Sequence, residues 1–482
     1  MTKTVAEPIV STSGGRIRGR TSADGVTSFL GIPYAAPPVG PARFRLPEPA
    51  MPWTGVRDAH EFGPTCPQLP YPGPMQALVG GPAIAGEECL NLNVWTPDPA
   101  GAGLPVLVWI HGGAFTRGGN SHPLYDGAAF ARDGVVLVSI NYRLGIPGFA
   151  VLPGAPLNRG LHDQVLALRW VSENIAAFGG DPGNVTVFGE SAGAISVACL
   201  LTAAPAAGLF HRAVLQSGNA SAVATATDAA RVTAEVAQLL ATSATAADFG
   251  ELSPEHLLQA QADVGTALAL DPDPSRWGAS VIAGGAGLMS MFPVIDDDLV
   301  SGAPLDLVCA GTRRGVPLLV GTNAEEFRFF AVPLGLVAGL DEQTLPMMLA
   351  RAGIGPAAVA AWTPRRANPA PGDVFCEIVT DRIFGEPARE LAEAAEGSGY
   401  LYEFGWSTEV LGLGACHALE LPFVFDTLDR AHALTGEHPP QRLADEMHRA
   451  WVDFATDGEP GWPAYRADAP VTHTFDAPEG HR

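Results

Sequence analysis

No stretch of this chain is apolar for long enough to cross a membrane: its strongest apolar runs, LPVLVWI at 104–110 and GVVLVSI at 134–140, are strand length and end at turn residues. The opening segment MTKTVAEPIVSTSGGRIRGR also lacks the apolar stretch of a secretory signal. The expectation is a soluble protein of the cytoplasm, with secretion left open for a chain already processed. Cysteine is sparse. The six residues at 66, 89, 199, 309, 376 and 416 contain no CxxC pair, which argues against a disulfide scaffold or a cysteine-rich zinc site. Only Cys66 and Cys89 are close. A bridge between them would add about 3 kcal/mol through the unfolded state, and a reducing compartment argues against it. Positive charge is scarce too: 28 Lys and Arg face 51 Asp and Glu, a formal charge of -23. No basic stripe is interleaved with aromatics. Nucleic acid is therefore excluded as a partner, and neutral or cationic small molecules are mildly favoured, although solubility alone accounts for the same charge. No His, Cys, Asp or Glu cluster has metal-ligand spacing, and neither metal nor cofactor is expected.

What the chain has in plenty is turn residues and short buried runs. Its 56 glycines and 43 prolines follow no triplet repeat, so they mark the turns of a globular protein. The runs at 104–110 and 134–140 read as buried strands, followed by apolar residues at helical spacing from Leu161 to Phe178, a breaker at 179–183 and the strand NVTVF. Later strand candidates are RAVLQS at 212–217, VPLLVG at 316–321 and YLYEF at 400–404, and a helix around 440–456 is expected to close the chain. Such alternation favours a mostly parallel sheet covered by helices on both faces. At 482 residues one extended α/β body remains preferable to two domains. We read 1–482 as a single domain, with helical insertions at about 222–295 and 331–395 over one edge of the sheet.

The strongest local signal is NVTVFGESAG at 184–193, where a strand meets a glycine, a serine and a helix-compatible run. In such an elbow Gly189 and Gly193 relieve crowding, Ser191 presents its hydroxyl as nucleophile, and the Ala192 N–H opens the helix where negative charge develops. HGGAF at 111–115 follows a buried strand, and the bare N–H groups of Gly112 and Gly113 complete a three-donor oxyanion hole with Ala192. His111 competes as a base, but its place beside the glycines suits shaping the loop. An elbow of this kind needs an acid and then a histidine later in the chain. GTNAEEF at 321–327 offers Glu325 or Glu326, and GLGACHALELPFVF at 412–425 offers His417.

The text FLGIPYAAPPVGPARFRLPEP, EECLNLNVWTP, HGGAF, NYRLG, FGGDPGNVTVFGESAGA, FHRAVLQSG and HALELPFVF resembles the type-B carboxylesterases, whose relatives include cholinesterases and some fungal lipases. The resemblance spans nearly the whole chain and implies the α/β-hydrolase fold. It implies a carboxylic ester hydrolase working through an acyl-enzyme, with Ser191, Glu326 and His417 as triad and Gly112, Gly113 and Ala192 as oxyanion donors. It also implies a supporting network of Glu190, Ser217 and Glu420 around His417, and buried bridges Arg43 to Glu87 and Arg143 to Asp181. Where the family usually has glycine after its acid, this chain has Phe327, which with Phe115 is expected to line a substrate pocket. The loop from Cys66 to Cys89, which in cholinesterases carries a tryptophan for quaternary ammonium, has only Tyr71, so choline esters are disfavoured. Broad activity on small-molecule esters with short or medium acyl chains is expected. A lipase for longer acylglycerols is the nearest alternative, and a non-catalytic interaction protein of the same fold a distant one.

Overall fold

A computed structural model describes residues 7–313, 315–365, 368–395 and 397–476. In chain order the strands are β1 (Ile9–Thr12), β2 (Gly15–Arg18), β3 (Arg20–Thr21), β4 (Thr27–Pro33), β5 (Val56–Asp58), β6 (Asn91–Thr96), β7 (Leu104–Ile110), β8 (Val136–Ile140), β9 (Gly180–Glu190), β10 (Arg212–Gln216), β11 (Leu318–Asn323), β12 (Gly399–Phe404) and β13 (Thr472–Phe475). A small sheet joins β1, β2 and β5. Ten strands form the central sheet in the order β13, β12, β11, β10, β9, β7, β8, β6, β4, β3. It is parallel from β8 to β13 and antiparallel from β3 through β4 and β6 to β8. This is the mixed α/β architecture of the α/β-hydrolase fold.

The continuous apolar runs follow from burial on both faces. Along β7, Val106, Val108 and Ile110 belong to one hydrophobic cluster and Leu107 and Trp109 to the other, because successive side chains leave opposite faces and neither face meets water. Arg159–Asn174 packs the helical-period residues Leu161, Val165, Leu168 and Val171 inward. Ala192–Thr202 is buried along almost its full length behind the sheet's central strands. Further helices fill the chain between β10 and β11 (Ala226–Leu239 and Pro254–Leu270 the longest) and between β11 and β12 (Pro371–Thr380 and Glu386–Ala394 the longest). No helix among the described residues is long and apolar enough to cross a membrane.

Four local expectations are corrected. The glycine-rich segment at 179–183 is not a clean break: β9 starts at Gly180, which pairs with Leu104 ahead of a register shift. The helix Gln441–Asp457 does not close the fold, since β13 follows it and adds a parallel edge to β12. Arg143 bonds not to Asp181 but to Asp163, with Nη2 to Oδ1 at 2.7 Å and Nε to Oδ2 at 2.8 Å, both residues buried. Asp181 instead accepts from the Gly183 N–H in its own turn. Arg43 donates to the Leu252 carbonyl, and no described ion pair joins it to Glu87. Cys66 and Cys89 are buried free thiols.

The Arg143 to Asp163 pair ties the end of β8 to the helix at 159–174, and Arg143 Nη1 also donates to the Arg45 carbonyl at 2.7 Å. Taking away one member strands a buried charge. We expect Asp163→Asn to destabilise the fold by about 3–5 kcal/mol in denaturant unfolding; a loss within the range of a surface substitution would contradict it.

Candidate active site

Ser191 sits between β9 and the helix Ala192–Thr202 with φ 54° and ψ -121°, a region that non-glycine residues rarely adopt and that marks a strained turn. The glycines around it have no room for a side chain. A Cβ on Gly193 would strike the carbonyl of Ile110, and one on Gly189 would meet the Gly193 backbone at 2.6 Å. Across from the serine, a Cβ on Gly112 would meet Glu190 Oε2 at 2.5 Å and Ser191 Cβ at 3.2 Å, while Gly113 has φ 108° and faces the Arg117 carbonyl. The N–H groups of Gly112, Gly113 and Ala192 have no acceptor among the described residues. Ala192 is the first residue of its helix, where N–H groups have no intrahelical partner. Three uncommitted donors thus surround Ser191 at a helix N-terminus, an arrangement suited to a developing oxyanion.

Two carboxylates flank His417. Its Nδ1 lies 2.6 Å from Glu326 Oε2, and the other oxygen of that carboxylate accepts from the Asn323 N–H at 2.8 Å. Its Nε2 lies 3.0 Å from Glu190 Oε1, an ion-pair contact outside hydrogen-bond alignment. No hydrogen bond joins His417 to the Ser191 hydroxyl in this resting arrangement. Glu325, the alternative acid, is held elsewhere, accepting from the Ala415 N–H at 2.9 Å. Burial disfavours the imidazolium, but the charges of Glu190 and Glu326 outweigh it and hold the His417 pKa well above its ordinary value. Both ring nitrogens then carry protons and face carboxylates, Nδ1 through a hydrogen bond and Nε2 through charge alone. A histidine that acts as a base must be neutral, so in that role for His417 activity should rise with pH through its pKa. Glu190→Gln removes one of the stabilising charges, and the acid limb of the kcat/KM profile should move to lower pH. A limb that stays in place or moves up would refute this role for Glu190.

Behind His417, Glu420 accepts from Gln216 Nε2 at 3.0 Å and Asn323 Nδ2 at 2.7 Å, and Trp451 Nε1 donates to Gln216 Oε1. Burial, then the charges of Glu190 and Glu326, pushes its pKa up to about 8. The sequence expectation that Ser217 joins this network is corrected: its hydroxyl has no described partner, and the linking residues are Gln216 and Asn323. They were missed because amides at strand ends carry no motif. His111 is buried and stacks on Tyr142, and its Nδ1 lies 2.8 Å from the Gly112 carbonyl. Burial lowers its pKa to about 4, so it shapes the glycine loop as a neutral ring.

A cleft of about 510 Å³ opens onto Ser191, His417, Gly112 and Gly113, within the usual size of a small-molecule site. Phe115 and Phe327 do not line it. Phe115 is fully buried against Phe149. Phe327 packs on Phe375 in the cluster formed with the helix Pro371–Thr380. The aromatic lining of the cleft is Phe329, Phe330, Tyr71 and Tyr125, with Phe330 5.2 Å from the His417 ring. One short helical turn, Arg328–Ala331, sends Phe327 to the core and Phe330 to the cleft.

The chain matches the model of the "Carboxylesterase family" over residues 6–474. It is 38% identical to the para-nitrobenzyl esterase of Bacillus subtilis (strain 168), over 97% of this chain and 95% of that protein. It is 34% identical to the phenmedipham hydrolase of Pseudarthrobacter oxydans, over 97% and 94%. Among solved structures it is similar to a thermophilic PNB esterase, with a TM-score of 0.84 and 37% identity over 98% of this chain and 96% of that one.

Proposed function

The chain belongs to the carboxylesterase family and is a serine hydrolase of carboxylic esters, and from that premise we propose Ser191, His417 and Glu326 as its triad and short or medium acyl esters as its substrates. The observation that carries the assignment is the 2.6 Å contact of His417 Nδ1 with Glu326, beside a serine surrounded by three uncommitted N–H groups. Substrate displaces the resting contact of Nε2 with Glu190, and the ring turns to the Ser191 hydroxyl; such contacts commonly tighten only in the complex. In its neutral form, with the Nε2 proton lost to solvent, His417 takes the hydroxyl proton as Ser191 Oγ attacks the ester carbonyl. Gly112, Gly113 and Ala192 donate to the oxyanion, and Glu326 holds the imidazole tautomer and stabilises its charged form. The alcohol leaves with the proton from His417, and a water activated by the same ring releases the acid. Para-nitrobenzyl and nitrophenyl esters are the natural test substrates, given the name of the Bacillus relative. A panel from acetate to palmitate on wild type and Ser191→Ala tests the reading: turnover should peak at short or medium chains and vanish with the serine. A peak at palmitate would overturn the acyl preference.

A further inference from the structure

Among the described residues one arginine lines the cleft, and none of the described acids pairs with it. Arg117 lies on the glycine loop, its N–H donating to the Gly113 carbonyl at 3.0 Å, and it lines the cleft together with Ser191. Nε donates to the Pro70 carbonyl and Nη1 to the Thr116 hydroxyl, both at 3.3 Å, and Nη2 has no described partner. No described carboxylate pairs with the guanidinium, although acids outnumber bases by 51 to 28 in the chain. Burial lowers its pKa, yet an arginine stays charged. Its guanidinium covers the Tyr71 ring at 5.3 Å, so the one aromatic ring of the 66–89 loop already carries a cation where a quaternary ammonium would stack.

We propose that Arg117 is a specificity residue that receives a carboxylate carried by the substrate away from its scissile bond, making half-esters and other anionic esters the favoured class. The overall charge of -23 does not oppose this, because exposed charges farther than about 8–10 Å are screened, whereas a half-buried guanidinium with a free edge offers a charge-assisted contact. The alternative is a purely structural arginine that clamps the 66–89 loop to the glycine loop.

The inference rests on Ser191-dependent hydrolysis, and the test separates the two. The full chain is assayed with two matched pairs: 4-nitrophenyl hemiadipate against 4-nitrophenyl hexanoate, and 4-carboxyphenyl butyrate against 4-methylphenyl butyrate. The readout is the anionic-to-neutral ratio of kcat/KM. Arg117→Gln should lower that ratio by about 10- to 100-fold in at least one pair, chiefly through KM, and Arg117→Lys should restore part of it. The first pair reports a carboxylate on the acyl side, the second one on the alcohol side. Ratios that stay within about twofold in both pairs, or a parallel loss on all four esters, would overturn the proposal. Neutral-ester turnover that survives Ser191→Ala would instead overturn the nucleophile assignment.

Discussion

Ser191→Ala is expected to lower nitrophenyl-ester turnover by about 10⁴-fold or more and to abolish the burst of nitrophenol, with folding intact. The size follows from what the substitution removes. Without an oxygen at this position no acyl-enzyme forms, and the three N–H groups can only bind and polarise the ester. The structure also explains why the variant should fold. Alanine keeps the Cβ that already occupies the turn, and the Ser191 side chain makes no hydrogen bond among the described residues whose loss would need compensation. The strained φ of 54° persists in alanine, so unfolding midpoints of the two proteins should agree closely. In Ser191→Gly the strain is relieved, and stability should rise while activity stays absent, the opposing directions expected of a turn held for function. A variant with more than a tenth of wild-type turnover would sink the assignment, since no other hydroxyl beside the glycine loop follows an elbow.

The elbow was legible in the sequence because its geometry demands particular residues: no side chain fits at Gly189, Gly193 or Gly112. The buried strands were legible for a similar reason, since two covered faces leave room for apolar residues alone. What the sequence hid depends on direction and distance. Whether Glu325 or Glu326 faces His417 turns on one residue of register after β11, and adjacent residues diverge there: Glu325 reaches the Ala415 N–H, Glu326 the imidazole. The same ambiguity puts Phe327 in the cleft, where Phe329 and Phe330 are the residues of this turn that line it. The partner of Arg143 was hidden because Asp163, on the following helix, and Asp181, at the start of β9, are equally plausible by charge. Only the packing of that helix decides between them. Edge strand β13, with one row of partners and a single buried residue, Phe475, carries too little apolar pattern to stand out.

Removing the proposed base should cost more than about 100-fold in turnover, because in the proposed mechanism His417 is proton acceptor in the attack and donor to the leaving alcohol. His417→Ala has a second consequence. It takes the cation from between Glu190 and Glu326, leaving two buried carboxylates facing a void, so part of any activity loss could come from a weakened fold. Glu326→Gln separates the effects. It keeps the shape of the side chain and leaves Glu190 in place, yet an amide can present its NH₂ to Nδ1 and stabilise the wrong tautomer. Turnover should then fall by about 10²- to 10⁴-fold with much less change in unfolding than His417→Ala produces. The pH profile adds a signature that a structural defect would not give. With one of its two carboxylate neighbours neutral, the imidazolium loses support, and the acid limb of the residual activity should lie below that of the wild type. Near-normal turnover in Glu326→Gln, or an acid limb displaced upward, would mean that the carboxylate 2.6 Å from Nδ1 is a structural neighbour and that His417 draws its orientation from Glu190 alone.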